Sequence, residues 1–159
     1  MIQIFTTGGT IDKQYFDASS EFQIAASLVP EMLQQAGIEG GYRLTELMRK
    51  DSLDLDDRDR VCIRDAVVGS EAHRILLTHG TDTMTATAEV LSGVTGKTIV
   101  LVGAMQPARM SRSDAEFNLG FAWAAVQLLP PGVYIAMSGG VFEAGRVRKN
   151  RAAQRFEPA

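Results

Sequence analysis

Short apolar segments alternate with amphipathic ones along almost the whole chain. The apolar segments are rich in Ile, Val, Leu and Tyr and have the length and the continuous or two-residue patterning of β-strands. The segments between them carry apolar residues at helical spacing and end near Gly or Pro, which is typical of surface helices. The predicted strands cover residues 2–6, 42–48, 75–77, 97–103 and 133–137, and the predicted helices cover residues 27–37, 56–69, 85–93 and 115–129.

This alternation predicts an α/β fold with an open, mostly parallel, doubly wound sheet and helices on both faces. We expect a single domain over residues 1–159, a length that suits one domain. The segments outside the pattern are less regular. Residues 12–21 are expected to form a polar loop, and residues 141–147 a short hairpin. Residues 148–159 are basic and are expected to form a polar tail that is flexible unless a ligand or partner orders it.

Polar side chains follow several of the strands at the point where each strand ends. Thr10 lies just beyond the first strand, Ser52 beyond the second, and Thr81 and Asp82 beyond the third. Lys149 follows the last strand. Because ligands of parallel α/β sheets bind at the carboxyl ends of the strands, these side chains are predicted to meet on one rim of the sheet.

Each of these residues also has a plain structural explanation. Thr81 and Asp82 are good N-cap residues for the helix that follows, Thr10 suits a turn, and Ser52 suits a cap. Lys149 lies among four arginines, where a solvated basic surface is the ordinary expectation. The sequence leaves these alternatives open for each residue, and only the convergence of all five on one rim favours a functional site.

A rim of this composition suits acyl transfer on a small zwitterionic amino acid. A threonine hydroxyl becomes a nucleophile when a neighbouring base takes its proton, and a lysine whose pKa is lowered by burial can act as that base. Backbone N–H groups at residues 8–9 or 80–81 can stabilise an oxyanion. Asp82 can bind an ammonium group, and Ser52 can bind a carboxylate.

The overall composition narrows the function classes. The net charge of −3 gives no general attraction to nucleic acid or to an anionic membrane surface. No apolar run reaches the ~18 residues of a membrane span and no leader segment is recognised, so a cytoplasmic location is expected. With one cysteine and two histidines, neither a disulfide nor a zinc site is expected. The cysteine, Cys62, is expected to be a small buried residue of the second helix.

Three sequence blocks together resemble the bacterial-type L-asparaginase family. The blocks are TGGTI at residues 7–11, HGTDTM at residues 79–84, and VGAMQP at residues 102–107, with Asn118 and Leu119 beyond the third block. They occur in the family's order and span nearly the whole chain. The resemblance implies hydrolysis of L-asparagine to L-aspartate and ammonia, without a metal ion or an organic cofactor.

The resemblance also implies a role for each residue of the rim. Thr10 matches the nucleophile, while Thr81, Asp82 and Lys149 match the threonine, aspartate and lysine of a relay. Asp82 also matches the residue that binds the substrate ammonium, and Ser52 matches the serine that binds its α-carboxylate. The implied substrate-binding set is Gly9, Ser52, Gly80, Thr81 and Asp82.

Two departures from the family pattern change what is expected. The family has a tyrosine on the flexible loop after the first block, and the matching position here is Phe22, which has no hydroxyl. Either Tyr15 takes this role from earlier in the loop, or the role is absent. Full-length members also have a C-terminal domain that contributes to a neighbouring subunit's site, whereas this sequence corresponds to the first domain, as in a short form of the enzyme.

Three functions therefore remain open from the sequence. The first is a short-form asparaginase. The second is a non-catalytic domain that binds aspartate or asparagine, and the third is an amidohydrolase acting on another small amide, such as glutamine or a substituted asparagine. Each implies a small-molecule ligand. A homo-oligomer is expected, because the family's sites lie near subunit contacts.

Overall fold

The computed structural model of the chain describes residues 1–18 and 20–159. The strands are β1 (Ile2–Gly8), β2 (Lys13–Phe16), β3 (Glu21–Ile24), β4 (Tyr42–Lys50), β5 (Arg74–Thr78), β6 (Thr98–Val102), β7 (Gly132–Met137), β8 (Gly140–Glu143), β9 (Val147–Asn150) and β10 (Arg155–Pro158). The α-helices are α1 (Val29–Gln35), α2 (Asp57–Gly69), α3 (Met84–Leu91) and α4 (Ala115–Leu128). Short 3-10 helices follow β1 and β4, at Thr10–Asp12 and Ser52–Asp54. None of the helices in the described ranges is long and apolar enough to cross a membrane.

The main sheet has the strand order β4-β1-β5-β6-β7-β8. Its neighbouring strands are parallel, except for β7 and β8, which are antiparallel. The predicted α/β class with an open, mostly parallel sheet in a single domain is therefore confirmed. The order of strands reverses at β1, because β4 lies on one side of it and β5 on the other. Ligands of such sheets bind in the crevice at this reversal, which here lies at the carboxyl ends of β1 and β5.

The central strands are buried because both faces of the sheet are covered. Residues 75–78 of β5 and all of β6 are buried, as the continuous apolar runs predict. By contrast, β4 at the edge of the sheet has no fully buried residue and alternates between exposed and half-buried positions along much of its length. The difference in patterning thus distinguishes central strands from the edge strand.

The prediction of an irregular loop over residues 12–21 is wrong for the described part of that segment. After the 3-10 helix, β2 and β3 form an antiparallel hairpin in which Tyr15 lies directly opposite Phe22. The two rings pack at a centroid distance of 5.4 Å. Cross-strand aromatic pairs of this kind stabilise hairpins, which is the physical reason for the difference. The loop prediction also included residue 19, which lies outside the described residues.

The C-terminal segment also differs from its prediction. The expected hairpin over residues 141–147 is replaced by two pairings: β8 turns back along β7, and β9 pairs with β10. The expected polar tail therefore contains an ordered hairpin. Val147 and Phe156 are buried and anchor this hairpin to the body of the domain, although their neighbours in the sequence are charged.

The expectation that Cys62 is buried is wrong, because its side chain is exposed. In α2 the buried positions are Ile63 and Val67, which are four residues apart and therefore lie on one face. Cys62 precedes the first of them by one residue, so it lies about 100° away around the helix.

A buried polar cluster holds the loop after β6 against the end of β7. The Asn118 side chain, fully buried in α4, donates to the carbonyl oxygen of Gly103 at 3.1 Å and accepts from the N–H of Ser138 at 2.9 Å. It also donates to the carboxylate of Asp114 at 2.9 Å. That carboxylate accepts from the N–H of Met105 instead of capping α4. The third sequence block is therefore fixed by α4.

We expect Asn118→Ala to lower the free energy of unfolding by about 2–4 kcal/mol, because it removes a fully buried side chain and leaves the buried carbonyl of Gly103 and the N–H of Ser138 without partners. Urea denaturation followed by circular dichroism measures this change. The matched control is Gln127→Ala on the exposed side of the same helix, where the side chain bonds only to the carbonyl of Trp123. Its expected effect is within about 0.5 kcal/mol. Equal losses in the two variants would contradict the role given to Asn118.

Candidate active site

The carboxyl ends of β1 and β5 touch through two glycines. Gly9 has a φ of +84°, and a Cβ built on it would lie 2.4 Å from the backbone N and Cα of Gly80. A Cβ on Gly80 would lie 2.6 Å from Oγ of Ser52. Only glycine allows backbones to approach this closely. Because Thr10 and Thr81 each follow one of these glycines, the contact brings both threonines to the same part of the rim.

Lys149 reaches this rim from β9. Its Nζ donates to Oγ1 of Thr81 at 2.7 Å and to Oδ1 of Asp82 at 2.8 Å. The side chain is only 14% exposed, so a solvated basic surface does not describe it. The neighbouring basic side chains that do fit that description are exposed and paired with glutamates: Arg146, Arg148 and Arg155.

The capping alternatives for Thr81 and Asp82 do not describe their side chains. Thr83 is the N-cap residue of α3, and no side chain makes a capping hydrogen bond to that helix. The hydroxyl of Thr83 donates instead to the carbonyl oxygen of Ser52 at 2.7 Å. Thr81 and Asp82 therefore direct their polar atoms to Lys149, while Thr83 ties the end of β5 to the end of β4.

Ser52 is buried beside Gly80, and its hydroxyl has no hydrogen-bond partner within the described part of the chain. The cap of the 3-10 helix at this position is Asp51, whose carboxylate accepts from the N–H of Leu53. An unpaired buried hydroxyl is unfavourable unless something else satisfies it. A bound ligand with a carboxylate would do so.

The backbone N–H groups at residues 8–9 and at residues 80–81 are the two candidate pairs of oxyanion donors, and they differ in whether their donors are already hydrogen-bonded. The N–H of Gly9 donates to the carbonyl oxygen of Lys50 at 2.9 Å and is therefore occupied. The N–H groups of Gly80 and Thr81 have no partner among residues 1–18 and 20–159. Of the two alternatives, residues 80–81 are thus the ones whose backbone donors are available.

Thr10 begins the 3-10 helix that leads into the β2–β3 hairpin. Its side chain is half-buried, and its hydroxyl makes no hydrogen bond to any described residue. Tyr15 and Phe22, on the hairpin itself, are each 49% exposed. The position that matches the family tyrosine and the candidate replacement thus lie side by side.

His79 holds the end of β5 and is not available for proton transfer. The ring is fully buried and lies 2.7 Å, through Nδ1, from the carbonyl oxygen of Gly80, and 2.8 Å, through Nε2, from Oγ1 of Thr87. A carbonyl oxygen only accepts, so Nδ1 carries the proton and Nε2 accepts from the threonine. Burial lowers the pKa of His79 to about 4, so the ring is neutral at pH 7. In the sequence this histidine stands out only as part of the second block.

Asp12 is a buried carboxyl that the sequence analysis did not single out. It lies two residues after Thr10 and is 1% exposed, and its Oδ1 has no partner within the described ranges. Burial raises the pKa of this carboxyl to about 6, although Ser27 and Arg109 act in the opposite direction. Its position directly after a buried Ile and before a strand was the one signal in the sequence that could have marked it.

An ion pair links the hairpin to the Ser52 end of the rim, and the sequence analysis missed it as well. Nζ of Lys13, on β2, lies 2.6 Å from Oδ2 of Asp51. Burial raises the pKa of Asp51, but the hydrogen bonds from Lys13 and from the N–H of Leu53 outweigh it and leave the pKa below its ordinary value. The carboxylate is therefore ionised at neutral pH and keeps β2 close to β4.

The described residues contain no group of three or more His, Cys, Asp and Glu side chains arranged to hold a metal ion. The polar groups that the rim presents are its hydroxyls, its lysine, its carboxylates and its free backbone N–H groups.

Comparison with known proteins identifies the family. The family described as "Asparaginase, N-terminal" matches residues 1–157. The chain belongs to the asparaginase family. A solved structure, the thermostable L-asparaginase from Thermococcus kodakarensis, superposes with a TM-score of 0.84 and 30% sequence identity over 99% of this chain and 50% of that one.

The sequence relatives of this asparaginase-family chain have several functions. It is 33% identical to the L-asparaginase of Thermococcus kodakarensis, over 92% of this chain and 46% of the relative. It is 30% identical to a glutaminase-asparaginase of Acinetobacter glutaminasificans, over 93% and 49%. It is also 30% identical to one of the subunits of the glutamyl-tRNA(Gln) amidotransferase of Methanococcus maripaludis, over 97% and 40%. The chain thus spans about half the length, or less, of the relatives it matches.

Asp12 and His79 are expected to have opposite effects on the pH dependence of stability. The pKa of Asp12 is raised from 3.8 to about 6, so its contribution is fully present below pH 3.8 and is lost as the pH rises through 6. The pKa of His79 is lowered from 6.5 to about 4, so its contribution is fully present above pH 6.5 and is lost as the pH falls through 4. Each group changes the free energy of unfolding by on the order of 3 kcal/mol across its pH range, in opposite directions, so the two pH dependences nearly cancel.

Asp12→Asn removes one of the two opposing contributions. The variant should therefore lose on the order of 3 kcal/mol of unfolding free energy between pH 7 and pH 4, relative to the unchanged chain. Urea denaturation at a series of pH values measures the difference. Asp65→Asn, an exposed position on α2, is the control and should follow the unchanged chain. Parallel profiles for Asp12→Asn and the unchanged chain would show that Asp12 does not titrate in this range.

Proposed function

We propose that this chain hydrolyses the side-chain amide of L-asparagine to L-aspartate and ammonia, with Thr10 as the nucleophile. The observation that carries the proposal is the hydrogen-bonded set of Lys149, Thr81 and Asp82 at the strand ends where Gly9 and Gly80 touch. Membership of the asparaginase family supports amide hydrolysis. The activity of the longer relatives is carried over to this shorter chain as part of the proposal.

The reaction has two steps in this account. Oγ1 of Thr10 attacks the amide carbon and loses its proton to a base, and the carbonyl oxygen becomes an oxyanion facing the free N–H groups of Gly80 and Thr81. The C–N bond then breaks, ammonia leaves with the added proton, and an ester to Thr10 remains. A water molecule attacks this ester, its hydroxyl completes the carboxylate of aspartate, and its proton returns to the threonine oxygen.

The relay residues have distinct proposed roles. Lys149 holds the hydroxyl of Thr81 and the carboxylate of Asp82 in fixed positions through two hydrogen bonds. We assign proton transfer at the substrate's side-chain amide to this lysine and threonine. Oδ2 of Asp82 lies on the carboxylate away from the two cation contacts, which both involve Oδ1, and is assigned to the substrate ammonium. The unpaired hydroxyl of Ser52 is assigned to the α-carboxylate.

Glutamine is the second candidate substrate. The 30% identity to a glutaminase-asparaginase supports it, because that relative's name covers both amides. A non-catalytic domain that binds aspartate or asparagine is the remaining alternative, and the absence of a hydroxyl at Phe22 favours it.

We propose a cytoplasmic homo-oligomer whose partner is a small molecule and neither nucleic acid nor a membrane. The net charge of −3 supports the exclusion of polyanionic partners. The family's use of subunit contacts near the site supports self-association. Light scattering coupled to size-exclusion chromatography measures the mass in solution, and a monomer at all accessible concentrations would contradict this part of the proposal.

Thr10→Ala is expected to abolish ammonia release from L-asparagine, by at least about 10³-fold, because it removes the attacking oxygen. Thr95→Ala, at an exposed position outside the rim, is the matched control and should retain full activity. A coupled ammonia assay on asparagine and glutamine, with unfolding curves for each variant, makes the comparison. Undiminished activity in Thr10→Ala would remove it as the nucleophile. Tight binding of aspartate without turnover of any amide would favour the binding domain.

Tyr15 is proposed to supply the hydroxyl that Phe22 lacks, because the two rings lie opposite each other across the hairpin. Tyr15→Phe should then lower kcat for asparagine by roughly 10²-fold, the range expected for losing a proton-transfer partner. Adding Phe22→Tyr to that variant should restore part of the loss, since it returns a hydroxyl to the neighbouring position. Full activity in Tyr15→Phe would show that the role is absent.

A further inference from the structure

Arg151 brings a second cation to Asp82. It lies in the turn between β9 and β10, two residues after Lys149, and its Nε is 3.8 Å from Oδ1 of Asp82. The same oxygen accepts a hydrogen bond from Lys149 at 2.8 Å. The side chain of Arg151 is 70% exposed, whereas that of Lys149 is 14% exposed. Arg151 therefore stands at the open side of the rim, and Lys149 on its inner side.

The charges that contact the two rim carboxylates do not balance. Asp51 pairs with Lys13 at 2.6 Å, and Asp82 pairs with Lys149 at 2.8 Å. These two pairs are neutral overall. Arg151 is a third cation facing two carboxylates, so this set of side chains has one net positive charge at neutral pH. The excess charge is on the residue most accessible to a ligand.

This excess charge matters for the ligand of the proposed function. Zwitterionic asparagine has no net charge, and its ammonium would approach a carboxylate that already faces two cations. Acylation of the α-amine removes the ammonium and leaves a net negative ligand, which Arg151 attracts. An exposed cation beside a charged ligand changes relative affinity by roughly two- to fivefold.

We propose that Arg151 shifts the specificity of this site towards amides with a net negative charge, such as asparagine acylated on its α-amine. The inference rests on the proposed amide hydrolysis, and the bond that breaks is the same. Water and the N-acyl asparagine yield N-acyl aspartate and ammonia. Arg151 acts on specificity through its charge and is not required for proton transfer, which is assigned to the more buried Lys149.

The test compares kcat/KM for N-acetyl-L-asparagine with kcat/KM for L-asparagine, in the unchanged chain and in Arg151→Gln. The ratio should fall roughly two- to fivefold in the variant, through KM rather than kcat. Added salt should lower the ratio in the unchanged chain and leave it nearly constant in the variant. Arg146→Gln is the matched control, because Arg146 is 80% exposed on the same segment and pairs with Glu143 instead. An unchanged ratio in Arg151→Gln, or an equal fall in Arg146→Gln, would overturn the inference.

A binding measurement separates this inference from the proposed function. Calorimetry with L-aspartate and N-acetyl-L-aspartate should show the same fall in relative affinity for the acetylated ligand in Arg151→Gln. If that fall occurs while no amide releases ammonia, the proposed hydrolysis fails and the charge selection stands. If asparagine is hydrolysed and the relative affinities and rates do not change, the selection fails and the hydrolysis stands. Absence of binding by both ligands would also overturn the inference.

Discussion

Backbone contact between Gly9 and Gly80 sets the geometry on which the rest of the site depends. No Cβ fits at either residue, so the ends of β1 and β5 lie closer together than strands bearing side chains could. Gly103 extends this arrangement, because a Cβ there would lie 2.4 Å from the carbonyl oxygen of His79. Three adjacent strands therefore end in tightly packed backbone. Side chains at these strand ends can attach only beside the glycines, which is where the proposed site residues Thr10 and Thr81 lie.

Tight backbone packing leaves polar groups in buried positions, and the domain satisfies them unequally. His79 and Asn118 have partners for their polar side-chain atoms and act as fixed supports for the loops after β5 and β6. Ser52 and Asp12 retain a buried oxygen without a partner among the described residues. Such groups cost stability unless a ligand or proton occupies them. The supporting side chains belong to the end of β5 and to α4, whereas two of the unpaired buried oxygens, those of Asp12 and Ser52, lie in the 3-10 helices that follow β1 and β4.

The sequence was informative where a single short segment determines the structure. The continuous apolar runs predicted β5 and β6, and the rule for strand ends in parallel sheets predicted that Thr81 and Asp82 would follow the end of a central strand. Lys149 lies within β9 of a separate hairpin, and its match to the site came from the family resemblance. The sequence analysis failed where the structure depends on pairs of residues that lie far apart in the chain or belong to no recognisable pattern. The β9–β10 hairpin depends on two isolated apolar anchors, Val147 and Phe156. The ion pair of Lys13 with Asp51 joins residues with no pattern in common, and only the folded sheet brings them together.

In the β9–β10 hairpin, the position of Lys149 and the positive charge of Arg151 depend on different parts of the structure. Lys149 lies opposite Phe156 in the paired region, so its position follows from a buried anchor and from the hydrogen bonds of the hairpin. Arg151 lies in the turn, outside the ladder, and its side chain has no comparable packing constraint. A change of charge in the turn can therefore alter which ligands are attracted without moving the lysine. The position of the proposed proton relay therefore depends on the hairpin's core contacts, whereas the proposed charge selectivity depends on its solvent-exposed turn.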